Sequence, residues 1–259
     1  MDKLSEFVVN KNRLWYNDLK WKSILKRGFV MQDISWKGYA KRIFVVTFGL
    51  VFAAYGVGLT VTAELGVSPW DVFSQGVALQ LTKVLGREVM MGTITQITAA
   101  LVILVDIALK EKIGVATIID TCIFGGALNF FLKHNMLPYP QAFPVKFVLM
   151  VLGYFIWGLG IYIYMKPALG AGPKDALFVI FAKRKIPVAI AKNSIEAVVF
   201  VIGWLMGGTI GIGTVVAVFA MGYIIEFWFK VFKFDVTTVK NESVFDTAKN
   251  MKKLLSKQS

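Results

Sequence analysis

The sequence predicts an all-α, polytopic transmembrane protein, and three observations support this prediction. The chain of 259 residues is 56% hydrophobic, has a mean hydropathy of +0.64 and contains only 17% charged residues. Several of its windows reach the roughly 20 apolar residues that a helix needs to cross a bilayer. The third observation is an internal duplication, which in a hydrophobic chain is typical of membrane folds built from two halves.

The duplication is most visible around two Gly/Pro segments. Leu65, Gly66, Pro69 and Asp71 match Leu169, Gly170, Pro173 and Asp175 at a constant offset of 104. Farther along, Thr117, Gly125, Asn129 and Lys133 match Thr214, Gly222, Glu226 and Lys230 at an offset of 97. We therefore predict a first membrane repeat at residues 43–133, a linker at 134–146 and a second repeat at 147–232.

Six windows are predicted to cross the membrane. They are residues 43–61, 90–109, 113–132, 147–165, 195–212 and 213–232. The second window contains Gln96 and, near its end, Asp106. The fifth contains Glu196, so both are less apolar than the others. Each repeat therefore contains a long helix, a Gly/Pro break, a shorter helix and two more long helices.

The breaks at residues 65–69 and 166–173 precede the two short helices, predicted at 70–85 and 174–182. In the second, only residues 176–182 are uninterrupted, and seven residues rise about 10 Å, a third of the hydrocarbon thickness. We expect short helices that enter the membrane and return, which gives six crossings and inverted repeats. An arrangement with eight crossings stays open. Both the six-crossing and the eight-crossing arrangement place four Lys/Arg outside the cell and twenty-five inside, so the positive-inside rule does not distinguish them.

The net charge of +13 is concentrated at the two ends of the chain. Ten Lys/Arg precede residue 43 and six follow Phe232, and the chain has no recognisable nucleic-acid-binding module. Basic ends around an apolar middle predict a cell-membrane protein with both termini in the cytoplasm, near anionic lipid, and no nucleic-acid partner. Residues 1–42 form either an amphipathic interfacial helix or a flexible basic leader, and the tail at 233–259 repeats the basic pattern.

Several kinds of chemistry lack a sequence signature. Cys122 is the only cysteine and His134 the only histidine, so neither an intrachain disulfide nor a thiolate metal cluster is predicted. A phosphate-binding Gly-rich loop with Lys-Ser/Thr and an H-E-x-x-H helix are both absent from the sequence. We expect no bound cofactor, no metal and no enzymatic activity.

The two Pro-Asp segments predict helix starts. In Ser68-Pro69-Trp70-Asp71, Ser68 is a good N-cap, proline suits the first helical position and Asp71 can complete a capping box. Such caps satisfy backbone groups that would otherwise be unpaired in hydrocarbon. The alternative is a binding site, because helix N-termini inside a membrane favour an anionic or carbonyl-bearing ligand. The candidate ligand-binding residues are Gly66, Ser68, Trp70, Asp71, Gly170, Gly172, Lys174 and Asp175.

Polar side chains within the apolar windows form a second group of candidates: Asp120, Asn129, Glu196 and Glu226. Charges near the centre of a membrane helix cost roughly 2.5 to 3.5 kcal/mol, so they normally face protein or water. Asp120 and Glu226 are candidates for proton coupling, and Glu226 occupies the position of Asn129 in the other repeat. The alternative for both is a structural interhelical hydrogen bond.

At these residues the chain resembles the YczE/YitT-type bacterial integral membrane proteins, in particular the YczE-like branch. Residues 56–71 resemble the pattern G-x-G-x-x-x-x-x-A-x-L-G-x-S-P-W-D, with four residues in place of five between Gly58 and Ala63, and residues 170–175 fit G-A-G-P-R/K-D. The resemblance covers about residues 43–232. Glu64 stands where Asp is common, Lys174 where Arg is common, and the basic leader is longer than expected. The resemblance implies a membrane protein with a transport or export role, sometimes beside secondary-metabolite genes.

Together these features predict a cofactor-free secondary transporter or translocator of a small molecule or lipid. Its central site would lie between the two Pro-Asp helix starts. The alternative from a different class is a non-transporting partner or scaffold for an envelope or biosynthetic system, in which the tails bind. An enzyme acting on a lipid head group is the third possibility.

Overall fold

The structure, a computed structural model, describes residues 34–89 and 91–256. Within these ranges the chain forms nine helices and no strand. They are α1 (Trp36–Thr62), α2 (Pro69–Leu85), α3 (Met91–Ala108), α4 (Val115–Lys133), α5 (Phe143–Met165), α6 (Pro173–Lys183), α7 (Val188–Leu205), α8 (Ile212–Val231) and α9 (Val244–Leu255). The predicted all-α class is confirmed.

Five of these helices, α1, α4, α5, α7 and α8, are long and apolar enough to cross a membrane. The predicted second window, residues 90–109, coincides with α3. The chain is thus a polytopic membrane protein, and the exact number of crossings stays a prediction. α1 begins at Trp36, before the predicted repeat, and residues 1–33 of the predicted basic leader lie outside the described ranges.

Both short helices are present and both begin with proline. α2 has 17 residues and rises about 26 Å, whereas α6 has 11 residues and rises about 16 Å. The hydrocarbon core is roughly 30 Å thick, so α6 is too short to cross it alone. The difference between the two helices comes from sequence, because Lys183, Arg184 and Lys185 end the apolar stretch of α6 early.

α1 and α5 pack against each other extensively, and their backbones approach closely. A Cβ atom built on Gly56 would lie 2.7 Å from the carbonyl oxygen of Gly153, and one on Gly160 would lie 2.6 Å from the Cβ of Ala53. Only glycine permits this distance between the helices, as is common in membrane bundles. Leu50, which lies about two turns before Gly56 in α1, is buried in the hydrophobic core.

The first break is held by the start of α8. The amide of Gly213 donates to the carbonyl of Leu65 at 2.7 Å, and the Thr214 hydroxyl donates to the carbonyl of Val67 at 2.8 Å. Gly66 has a φ of 147°, which favours glycine, and it packs directly on Thr214. Backbone groups of this irregular segment are therefore satisfied by a neighbouring helix, as an irregular segment inside a bilayer requires.

The second break is held in the same way by the start of α4. The amide of Ala116 donates to the carbonyl of Leu169 at 2.9 Å, and the Thr117 hydroxyl donates to the carbonyl of Ala171 at 2.6 Å. Gly170 has a φ of 113° and packs against Gly114. Each half of the chain thus supports the break of the other half. The common origin of the halves stays a prediction.

Residues 233–256, which we call the C-terminal strap, fold back over the second break. Arg42 is fully buried, pairs with Glu242 at 2.7 Å and donates through Nε to the carbonyl of Pro167 at 2.9 Å. The amide of Glu242 donates to the carbonyl of Ala168 at 2.9 Å. Phe234, Val236 and Val239 join the core under the strap. The strap contains the helical part of the predicted basic tail.

Outside the membrane, one exposed ion pair ties the strap to the segment between α3 and α4. Lys112 donates to Asp246 at 2.9 Å. This hydrogen bond, together with bonds from Ser243, lowers the pKa of the Asp246 carboxyl to about 2. Asp246 also completes a capping box with Ser243 at the start of α9.

Candidate functional site

The start of α2 is capped by its own residues. The Ser68 hydroxyl donates to Asp71 Oδ2 at 2.8 Å and accepts from the Asp71 amide at 3.3 Å. Proline occupies the first helical position, as predicted. The partners of Ser68 and Asp71 therefore match the predicted capping interpretation at this start.

At the start of α6, Asp175 occupies the position that Asp71 has in α2, but it binds different partners. Gly172 is the N-cap and has no side chain, so the start of α6 supplies no capping hydroxyl for Asp175. The Tyr164 hydroxyl from α5 donates to Asp175 Oδ2 at 2.6 Å, and Lys192 from α7 donates to Oδ1 at 3.2 Å. Tyr164 also accepts from the amide of Gly172 at 3.2 Å. Asp175 thus joins three helices.

Lys192 is the centre of a buried ion network. Its side chain is 3% exposed and lies between Asp175 and Glu196, with Glu196 Oε1 at 2.9 Å from Nζ. The separation from Glu196 is that of an ion pair, although its angle falls outside hydrogen-bond geometry. The ammonium also lies 5.6 Å from the ring centroid of Phe178. Removing such a charge from water is costly, so each partner in the network depends on the others.

Lys174 brings the two helix starts together. Its ammonium lies 5.0 Å from the ring centroid of Trp70, a cation–π contact between the second residue of α6 and the second residue of α2. Within the described ranges Lys174 has neither a hydrogen bond nor an ion pair. The offset of 104 between the two starts makes Lys174 the equivalent of Trp70 in the predicted repeats, and the structure brings the two side chains into contact.

Asp120 lies against the other side of the α6 start. A Cβ atom built on Gly172 would be 2.4 Å from Asp120 Oδ2, so the carboxylate occupies the space that glycine leaves. Asp120 is within electrostatic range of Asp175 and Lys174. In the part of the chain that the structure describes, its carboxylate has neither a hydrogen bond nor an ion pair.

The other proton-coupling candidate, Glu226, lies elsewhere. It accepts from the amide of Ala189, the second residue of α7, at 3.0 Å and pairs with Lys230 one turn later. A cavity of about 380 Å³ opens beside it, lined in part by Lys233 and Asp235. These partners favour the structural alternative for Glu226, namely a helix cap supplied by a neighbouring helix.

Two members of the network were not predicted from the sequence, and a third was predicted without this role. Tyr164 and Lys192 were not predicted as candidates, and Glu196 was predicted only as one of four polar residues within the apolar windows, without a place among the ligand-binding residues. Lys192 and Glu196 are four residues apart in α7, a spacing that places opposite charges on one helix face. That spacing was the available signal. Asp106 in α3 is a further buried carboxylate, and neither of its oxygens has a hydrogen-bond partner within the described residues.

The fold and this buried ion network define the class: an integral membrane protein of several helices with ionisable groups at the starts of two broken helices. Residues 40–230 match a family described as "Family of unknown function (DUF6198)". The chain belongs to this family.

Three curated proteins are similar in sequence to the chain. An uncharacterized protein of Haemophilus influenzae is 29% identical over 188 residues, which cover 72% of this chain and 83% of that protein. The uncharacterized membrane protein YczE of Bacillus subtilis is 27% identical over 182 residues, 69% of this chain and 81% of YczE. The uncharacterized protein YyaS of the same organism is 27% identical over 182 residues, 69% of this chain and 87% of YyaS. No solved structure matches the chain. The predicted resemblance to YczE-like membrane proteins is confirmed.

Proposed function

We propose that the protein is a cofactor-free secondary transporter or translocator of a small molecule or lipid. Its central site lies between the starts of α2 and α6. The observation that carries the proposal is the contact between Lys174 and Trp70. Helix starts inside a membrane that point at a shared site are a known way to bind a transported ligand.

The position of this contact supports a central site. Trp70 and Lys174 are equivalent residues of the predicted repeats, and equivalent residues of two related halves touch each other only near the axis that relates them. A transporter built from two such halves binds its substrate near that axis and exposes it alternately to each side by moving one half against the other. The contact therefore lies where such a substrate would bind.

The buried charges also support transport. Lys192 and Glu196 are each 3% exposed, although both lie in a helix apolar enough to span the membrane. Ionisable residues inside membrane segments are costly and commonly mark substrate or ion pathways. A purely structural bundle has no need for charged groups here, since apolar side chains of similar size would pack as well or better.

Contacts between helix ends support six crossings with two re-entrant short helices. At the end of α6, Lys183 pairs with Glu111 in the segment between α3 and α4 at 2.6 Å. Just after the end of α5, the carbonyl of Leu169 accepts from the amide of Ala116 at the start of α4. The end of α5 and the end of α6 therefore lie at one face, and α6 returns to the face from which its break departs.

The corresponding contacts of α2 lie at the opposite face. The break before α2 is bound to the start of α8, and Gln80 farther along α2 donates to the carbonyl of Met206 at the end of α7, at 2.7 Å. The end of α7 and the start of α8 are neighbours in the chain. The two short helices thus belong to opposite faces, as inverted repeats require.

The proposal places the protein in the cell membrane with both termini and the C-terminal strap in the cytoplasm. On α9, Phe245 is 87% exposed, and Lys249 and Lys252 follow at helical spacing. An exposed aromatic residue beside lysines suits the surface of an anionic leaflet. We propose this helix as the contact with anionic lipid, and we propose neither enzymatic activity nor a nucleic-acid partner.

The exposed face of α9 also favours a second candidate function. A non-transporting scaffold would use such a face, together with the basic leader, to bind an envelope or biosynthetic protein. The two functions differ in what the central ion network should do. A scaffold moves no substrate, so variants of Lys174 should leave the binding of its partner protein unchanged.

Flux through purified protein in proteoliposomes tests the proposal. Uptake of a panel of labelled amino acids, carboxylates and amines, and movement of fluorescent lipids between leaflets, should exceed the rates in protein-free liposomes. Lys174→Gln should abolish the flux, while Lys83→Gln, a change of an exposed lysine in α2, should leave it intact. If no member of the panel moves, and α9 variants release a co-purifying protein, the scaffold is the better account.

A further inference from the structure

We propose that the central site binds a small zwitterion, with its carboxylate on Lys174 and Trp70 and its ammonium on Asp120. This inference rests on the proposed function, because it names the substrate class of the same site. It follows from asking which polar groups of the ion network already have partners and which do not.

The donor side of the site consists of Lys174 and Trp70. Trp70 is 8% exposed, and its indole Nε1 is buried with no hydrogen-bond partner in the described part of the chain. The Lys174 ammonium lies 5.0 Å from the centroid of the Trp70 ring, so the two donors lie in one small region. Buried donors are normally paired, and leaving them unpaired costs free energy. Two adjacent unpaired donors match the two oxygens of a carboxylate.

The acceptor side of the site is Asp120. Its carboxylate lies against Gly172 at the start of α6 and is within electrostatic range of Lys174. Asp120 and Lys174 carry opposite charges and yet do not form an ion pair, since no contact between them falls within 4.0 Å. A ligand with opposite charges at its two ends would bridge them.

The remaining charges around the site have partners within the protein. Asp71 is bonded to Ser68, and Lys192 is shared by Asp175 and Glu196. Their pairing leaves one cation and one anion for the ligand. A ligand with only a negative charge would leave Asp120 unpaired beside it, and a ligand with only a positive charge would leave Lys174 unpaired, so either one is disfavoured.

A metal ion is a poorer match for Asp120 than an ammonium group. Within residues 34–89 and 91–256, no three His, Cys, Asp or Glu side chains are placed to hold a metal ion. An ammonium group needs fewer ligands, because one carboxylate and nearby carbonyl oxygens satisfy its three donors.

Binding to the purified full-length protein in detergent tests the inference. The probes are two length-matched sets: β-alanine, propionate and propylamine, and 5-aminovalerate, valerate and pentylamine. In at least one set the zwitterion should bind at least about tenfold more tightly than either single-charge analogue, measured by isothermal titration calorimetry. Its binding should also raise the unfolding temperature of the protein.

Two variants assign the ends of the ligand. Lys174→Gln should remove the preference for zwitterion over amine, and Asp120→Asn should remove the preference for zwitterion over carboxylate. Lys83→Gln, the exposed control, should keep both preferences. A circular dichroism spectrum and an unfolding temperature for each variant show that the loss is not caused by misfolding.

Equal binding of all three members of both sets, tighter binding of a single-charge analogue, or binding of none of the six by folded protein would each overturn the inference. The result is separable from transport. Zwitterion binding without flux in proteoliposomes would keep the binding site and remove the proposed function. Flux of another solute without zwitterion binding would overturn the substrate class and leave transport in place.

Discussion

The starts of α2 and α6 share proline at the first position and aspartate at the third, yet the two aspartates have different roles. Asp71 is bound by Ser68 within its own helix start. Asp175 is bound by Tyr164 of α5 and by Lys192 of α7. The first start is closed by local capping, whereas the second is connected to the ion network. Similar motifs in the two halves therefore do not imply similar chemistry.

The residue at the N-cap explains much of this difference. Ser68 supplies a hydroxyl that binds Asp71, whereas Gly172 supplies none and leaves room for the carboxylate of Asp120. Without a capping hydroxyl, Asp175 is available to neighbouring helices. The residue at the N-cap, together with the Tyr164 and Lys192 side chains, thus separates a capped start from one that belongs to a network.

The largest effect should come from Lys192→Met, which removes the cation of the second start and leaves Asp175 and Glu196 buried without it. Removing one partner from a buried ion network lowers the free energy of unfolding by about 3 to 5 kcal/mol. Chemical unfolding in detergent should show this loss. Adding Glu196→Gln to the variant should recover part of it, and Lys249→Met on the exposed face of α9 should have almost no effect. A loss as small as that of the exposed control would contradict the buried network.

The next largest effect is expected at Asp175, and it can be compared directly with the effect of the same change at Asp71. Asp175→Asn should destabilise the protein by about 2 to 4 kcal/mol, because it weakens the bonds to Lys192 and Tyr164. Asp71→Asn should cost only about 0.5 to 2 kcal/mol, the range of a capping residue. Flux per folded molecule should fall for Asp175→Asn and persist for Asp71→Asn. Equal losses of stability and flux for the two variants would show that the starts are equivalent after all.

A smaller effect is expected from giving the second start the cap of the first. Gly172→Ser would supply the missing hydroxyl but would place its Cβ about 2.4 Å from Asp120 Oδ2. The carboxylate must move, which we expect to cost about 1 to 3 kcal/mol. Ser68→Gly, the reciprocal change, should cost only a few tenths of a kcal/mol. A more stable Gly172→Ser protein would show that the contact with Asp120 is loose.

The smallest effect should come from the exposed pair of Lys112 and Asp246, which contrasts with the buried pairs. Because the folded pKa of Asp246 is about 2 and the unfolded value is about 3.9, the pair is fully formed above about pH 4. Its contribution is lost as the pH falls through about 2. Between pH 5 and 8 the unfolding temperatures of the parent and of Asp246→Asn should therefore differ by a constant, small amount. A difference that changes with pH in this range would contradict the assigned pKa.

The sequence predicted the helical class, both short helices and the proline at each start, because these follow from hydropathy and from capping chemistry. It also placed Trp70 and Lys174 at equivalent positions. It did not predict that their side chains meet, or that Asp175 binds Tyr164, because such contacts depend on how helices distant in sequence pack. Lys192 was missed for a related reason: it precedes the predicted window at 195–212, and only the start of α7 at Val188 and the four-residue spacing to Glu196 place it inside a membrane helix.

The strap has a consequence for how the chain is made. It follows α8, so it leaves the ribosome after every membrane helix, yet it supplies the Glu242 carboxylate that pairs with Arg42 near the start of α1. Until the strap is synthesised, a cation in the first membrane helix has no anionic partner, and the carbonyl of Ala168 lacks the amide of Glu242. Insertion of the helices therefore precedes completion of the fold, and a nascent chain that stops before residue 242 would hold an unpaired charge that quality-control proteases can detect.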